Sequence, residues 1–149
     1  MLDKHFVLRD RTKQFALRIL KVCDSLPKTD AGRTISRQLL RSGTSVAANY
    51  RAVGRARSQA EFVAKLGVVI EEADESVFWL ELLGEGGIVP EHRLGELTVE
   101  ANELVAIFVA SQQTARRTST KRSRNVLAPP IARSPDQRLP RSPDHPITR

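Results

Sequence analysis

The sequence predicts an all-α fold: an antiparallel up-down-up-down four-helix bundle followed by a disordered, basic, proline-rich C-terminal tail. Apolar residues recur at steps of three and four in four separate stretches, which is the period of a helix buried on one face. Sustained alternation of apolar and polar residues, the mark of a half-buried strand, is absent. Pro27, the Ser58-Gln59-Ala60-Glu61 sequence, and Gly84 to Gly87 followed by Pro90 punctuate the stretches. Residues 1–115 are assigned to the bundle and residues 116–149 to the tail.

The first helix is predicted from about Asp10 to Ser25. Phe15, Ile19, Cys23 and Leu26 form its stripe, with Ala16 and Leu20 widening it. Pro27 ends it, because the residue before a proline is pushed out of the α region. A polar connector follows, with Thr29 or Asp30 as N-cap, and the second helix is expected from about Gly32 to Ala56. Its buried face is Leu39, Ser42, Gly43, Val46, Tyr50 and Val53, with small residues where another helix comes close.

Ser58 and Glu61 have capping-box spacing. The Ser58 hydroxyl is placed to accept from the Glu61 amide, and the Glu61 carboxylate to reach back to the amide of Ser58. The third helix runs from there to about Leu83 on Phe62, Leu66, Val69, Ile70, Ala73, Val77, Leu80 and Leu83. So little chain separates it from the second helix that the two form an antiparallel hairpin. The Gly84–Gly87 cluster is read as a C-cap; it lacks the spacing and the preceding strand of a phosphate loop. Pro90 suits the first turn of a fourth helix. Its stripe is Leu94, Leu97, Ala101, Leu104, Val105, Phe108 and Val109, and it is expected to fade near Ala115.

Charge divides the chain. Residues 1–115 carry fifteen basic and fifteen acidic side chains, so the formal net charge of +7 resides in residues 116–149. Arg133–Asp136 and Arg141–Asp144 repeat Arg-Ser-Pro-Asp there. This composition cannot bury enough apolar surface to offset ordering its backbone; the tail is either a plain solvated extension or a non-specific polyanion-binding arm. The single cysteine, Cys23, excludes an internal disulfide and fits a buried thiol in a reducing cytoplasm. The N-terminal residues lack the apolar core of a signal peptide, and no apolar run approaches the roughly 20 residues of a membrane span. A cytoplasmic location is therefore expected.

The run Leu39-Leu40-Arg41-Ser42-Gly43-Thr44-Ser45-Val46-Ala47-Ala48-Asn49-Tyr50, then Arg55-Ala56-Arg57-Ser58, Glu61-Phe62 and Lys65-Leu66, resembles the bacterial four-helix bundle protein family. So does Glu71-Glu72-Ala73-Asp74-Glu75-Ser76 followed by Trp79-Leu80-Glu81-Leu82-Leu83. That family is also known for reading frames inside intervening sequences of 23S ribosomal RNA genes, and the similarity spans roughly Phe6 to Gln113. It implies an antiparallel bundle assembled as a homopentameric ring. It also implies kinship with the accessory proteins of diversity-generating retroelements, whose basic pentamers bind nucleic acid and a reverse transcriptase. No catalytic residues come with it. Ala52-Val53-Gly54 stands where members commonly carry an acidic residue, which puts any interface built on that acid in doubt.

Within the bundle, residues 1–65 hold fourteen basic and five acidic side chains, and residues 66–115 hold one basic and ten acidic. Helices one and two are thus read as basic, and helices three and four as acidic. Arg33, Arg37 and Arg41 step by four along the second helix, and Arg51 and Arg55 continue near that line on an outward face. With Arg57 and Lys65 they are the candidate nucleic-acid-binding residues. Asn49, Tyr50, Glu71, Glu72, Glu75 and Trp79 are the candidate oligomer or partner surface.

The charge pattern is compatible with three roles. The arginines can meet phosphates, where guanidinium forks fit well, repeated by every subunit of a ring. The basic hairpin can dock on the acidic hairpin of a neighbouring copy. Or these are ordinary solvated faces with weak i,i+4 pairs. Aromatic residues make up 5% of the chain, which argues against base stacking as a reading mode. Phe78 and Trp79 are adjacent and cannot share one face, so either one joins the core and the other is free for a contact between subunits, or both lie at the edge of the core. Asn49 and Asp74 are expected to be partly buried and hydrogen-bonded.

No enzyme is predicted and no cofactor. Glu-x-x-His, the inward-facing ligand pair of di-iron bundles, does not occur, and His5, His92 and His145 are scattered. The acidic run from Glu71 to Glu75 has no histidine or cysteine companions for a transition metal. The expected partners are other copies of the chain, RNA or DNA, or a nucleic-acid-handling protein such as a reverse transcriptase.

Overall fold

The structure is a computed structural model and describes residues 3–126. It holds four helices: α1 (Lys4–Ser25), α2 (Asp30–Val53), α3 (Gln59–Glu85) and α4 (Glu91–Val126). No strand occurs among the described residues. Short connectors make successive helices antiparallel, and each packs along the next; α1 and α4 touch more sparingly. The bundle is therefore a strip rolled up along the chain, with its thinnest seam between the first and last helices.

The stripes read from the sequence form one core. Phe15, Ile19, Leu39, Val46, Leu66, Val69, Leu80, Leu83, Leu104 and Phe108 are all essentially without solvent contact. The small residues of α2 are where close approach is needed. A Cβ on Gly43 would be 2.8 Å from Ile19 Cγ1, so α1 rests on the glycine backbone. Beside it the Ser42 and Ser76 hydroxyls are 2.9 Å apart, both fully buried, and join α2 to α3. Ser76 Oγ is also 2.8 Å from the Glu72 carbonyl, so neither buried hydroxyl lacks a partner. Cys23 is buried, and that burial pushes its thiol pKa up.

The helix ends depart from expectation. α1 starts at Lys4, six residues before the predicted Asp10, because the Asp3 side chain caps it by accepting from the His5 amide at 3.0 Å. Thr29 caps α2. The second helix stops at Val53 rather than Ala56. At α3 the Ser58 hydroxyl accepts from the Glu61 amide at 3.1 Å, but the returning Glu61 carboxylate accepts from the Arg57 amide, one residue before the expected Ser58. Glycine ends α3 as expected, the turn being made by Gly87 at φ +68°. Pro90 lies just ahead of α4 rather than inside it.

The largest departure is α4. It does not fade near Ala115 but continues for eleven more residues to Val126. Ala115 is buried and residues 116–123 beyond it are exposed, and Gln59, the first residue of α3, donates its side-chain amide to the Ala115 carbonyl at 3.0 Å. Beyond that point α4 projects past the end of the bundle. The disorder expected of residues 116–149 is thus replaced by helix up to Val126; the repeated Arg-Ser-Pro-Asp lies outside the described residues.

Candidate nucleic-acid interface

The candidate residues fall into three separate settings. Arg33 and Arg37 are exposed at the end of the bundle where α1 meets α2, and Arg33 makes only a loose 3.9 Å approach to Asp30. Arg41, one turn further, is engaged within the molecule. Its guanidinium bridges to Glu72 at 3.1 Å and to Glu75 on α3. Glu75 also accepts from Trp79 Nε1 at 3.0 Å. The Arg41 and Trp79 hydrogen bonds hold the Glu75 carboxyl below the ordinary carboxylate range. Arg41, Glu72, Glu75 and Trp79, which the sequence assigns to two different surfaces, are one clasp between α2 and α3.

The remaining candidates gather at the other end. Arg51, Arg55 and Arg57 are exposed, with no carboxylate within bridging distance of their side chains among the described residues. Lys65 pairs with Glu61 at 3.4 Å, and the Arg57 amide holds the Glu61 carboxyl below its usual range. Tyr50 is a core residue rather than a surface one. Its ring packs against Phe108, its hydroxyl is 3.1 Å from His5 Nδ1, and burial pushes its pKa up to about 12. Asn49 donates to the Ser45 carbonyl at 2.9 Å, within its own helix. Glu71 is exposed, and so is Asp74, against the expectation of partial burial. Phe78 is 52% exposed while its neighbour Trp79 packs against the core, which resolves that pair.

Antiparallel packing brings four chain segments to this second end. The start of α1 supplies Lys4, Arg9, Arg11 and Lys13. The end of α2 and its connector supply Arg51, Arg55 and Arg57, the start of α3 Lys65, and the overhang of α4 Arg116, Arg117, Lys121 and Arg122. Against these twelve stand Asp3, Asp10 and Glu61, with Glu100 and Glu103 at the level of Arg11. Arg11 is already neutralised, because its guanidinium grips Glu100 at 2.7 Å and Glu103 on α4. At the opposite end Asp24, Asp30, Glu81, Glu85, Glu91 and Glu96 outnumber Lys21, Lys28, Arg33, Arg37 and Arg93. The molecule is thus polarised along its length, where the sequence suggested one basic and one acidic hairpin.

The basic end also holds an open groove of about 740 Å³, floored by Leu8, Val53, Phe62 and Ile107 and edged by Lys4 and Arg57. Sequence reasoning passes over the four basic residues of the α4 overhang as site residues because the apolar stripe stops at Ala115. The available signal is that residues 116–126 contain no proline or glycine, and that cations in the last turns of a helix favour its dipole. Among the described residues no three histidine, cysteine or acidic side chains come together as metal ligands would, and no helix is long and apolar enough to cross a membrane.

Residues 4–110 match the family model of the 23S rRNA-intervening sequence protein. A solved structure of a protein of unknown function from the S23 ribosomal protein family of Bacteroides thetaiotaomicron VPI-5482 is 31% identical, with a TM-score of 0.69. The alignment covers 74% of this chain and 99% of that one. No curated protein matches the chain. The family match runs through all four helices but leaves out the α4 overhang, and on it the chain belongs to the 23S rRNA-intervening sequence protein family.

Proposed function

We propose that this chain is a non-catalytic nucleic-acid-binding protein of the cytoplasm that holds the phosphate backbone of RNA or DNA at the basic end of its bundle. One observation carries the reading: all four helices deliver cations to the same end, and the Arg51, Arg55 and Arg57 side chains there have no carboxylate partner among the described residues. Unpaired guanidinium groups in a cluster are suited to phosphates. Arg41 contributes structure rather than contact, and Arg33 and Arg37 belong to the far end.

The test is a gel-shift series with the purified full chain on RNA and DNA across a range of salt. Binding should weaken steeply with salt. Arg51→Gln/Arg55→Gln/Arg57→Gln should make the log–log slope shallower by about 2 to 3, near 0.9 for each phosphate that is no longer neutralised. No shift by the wild-type chain even at low salt would end the reading.

A second reading, assembly into a homo-oligomeric ring such as a pentamer, is favoured by the outward side of α3. Val68, Phe78 and Leu82 are each at least 40% exposed there. Apolar groups gathered on the outside of one helix suit burial against another copy. The two readings are compatible, and a nucleic-acid-handling protein such as a reverse transcriptase could dock on the same face.

A further inference from the structure

The α4 overhang differs from every other helical segment of the molecule. Arg116, Arg117, Lys121 and Arg122 are exposed and have no carboxylate within bridging distance among the described residues. Residues 116–126 contain five basic residues and no acidic one, the remainder being Thr118, Ser119, Thr120, Ser123, Asn125 and Val126. At about 3.6 residues per turn the four described cations point to widely separated azimuths, so the rod is cationic around its circumference. A helix that is polar all round has no core to lie on.

Shape adds to charge. Eleven residues at 1.5 Å each make a rod about 16 Å long, with a diameter of about 10–12 Å. The major groove of B-form DNA is about 12 Å wide and admits one α-helix, with phosphates along both walls. Cations on opposite sides of a rod are the pattern such a groove neutralises. The deep, narrow major groove of A-form RNA excludes side chains, and the few aromatic residues leave single strands without stacking platforms.

We infer that the overhang of α4 is a helical arm that enters the major groove of double-stranded B-form DNA, while Arg51, Arg55 and Arg57 at the bundle end hold the flanking phosphates. The inference rests on the backbone-binding reading above and gives it a substrate class. The bound duplex supplies the countercharge that the helical overhang lacks.

The experiment compares fluorescence anisotropy of a 20-base-pair DNA duplex, the double-stranded RNA of the same sequence, and the single strands. It uses the full chain and its Arg116→Gln/Arg117→Gln/Lys121→Gln/Arg122→Gln variant, both with the C-terminal residues intact. The wild type should prefer duplex DNA. The variant should keep its unfolding midpoint, because the four residues touch no core. It should lose at least about tenfold in DNA affinity at 0.1 M salt, with a slope shallower by about 3 to 4, while its binding to the RNA duplex changes little.

Unchanged DNA affinity in the variant would overturn the arm and leave the backbone-binding reading standing. Equal losses on DNA and RNA duplexes would overturn the groove assignment. A wild type that binds none of the probes would remove both readings together. A variant altered only in its assembled mass would assign the overhang to contacts between copies and overturn the proposal.

Discussion

A methyl group added at Gly43 arrives 2.8 Å from Ile19 Cγ1 and 3.2 Å from Ile19 Cβ, whereas one added at Gly95 meets nothing within 4 Å. Both glycines are inside helices, where alanine is favoured by up to about 1 kcal/mol. At Gly95 that preference acts alone, so Gly95→Ala should raise stability by about 0.5–1 kcal/mol. At Gly43 the neighbour is β-branched and fully buried, and cannot swing away. Overpacking of that kind costs about 1–3 kcal/mol, so Gly43→Ala should lower stability by about 1 kcal/mol net. Urea unfolding of the two variants checks the pair; movement of both midpoints in the same direction would refute this account of the α1–α2 contact. At this scale much is legible in advance, since small residues on the inner stripe of α2 announce close approach. What a one-dimensional pattern does not contain is the partner: nothing marks Ser76 as the group facing Ser42, or Glu72 and Glu75 as the anions that take Arg41.

The seam between α1 and α4 depends on few contacts, and Arg11 supplies a leading one by gripping Glu100 and Glu103. The ion pair holds the Glu100 carboxyl below its ordinary value of 4.5, chiefly through the Arg11 hydrogen bond. A carboxyl whose folded pKa is depressed contributes stability that is complete above its unfolded pKa and is lost as pH falls through the folded one. Glu100→Gln should therefore cost about 1 kcal/mol at pH 7, a figure reduced for the partial exposure of Arg11. The cost should shrink toward zero well below the ordinary carboxylate value. Stability curves of wild type and variant that stay parallel from pH 7 to pH 3 would show that the pair contributes nothing. Element centres are legible in the sequence because apolar periodicity reports burial. Element ends are not: α1 begins early on the Asp3 cap, and α4 outruns its own core.

Seen whole, the molecule carries its charge gradient from end to end and exposed apolar residues along the flank of α3. Summing charge by segment hides the gradient, because each antiparallel helix spans both ends and the overhang places cations on the hairpin that counts as acidic. Only folding brings Lys4, Arg57 and Arg116 to one end. The apolar flank makes a separate prediction. Phe78→Glu/Leu82→Glu should leave helicity intact and reduce the mass measured by light scattering, because both side chains face solvent in one copy. An unchanged mass would place assembly elsewhere or nowhere. The order of packing has a consequence for how the molecule is made. Every extensive contact joins helices adjacent along the chain, so the contacts between α1 and α2 can form before α3 and α4 are made. Each new rod can settle on the last as it leaves the ribosome. With contacts this local, folding falls in the range of microseconds to milliseconds, far ahead of translation, so the pace of synthesis sets how long the apolar face of the first hairpin waits for α3 and α4.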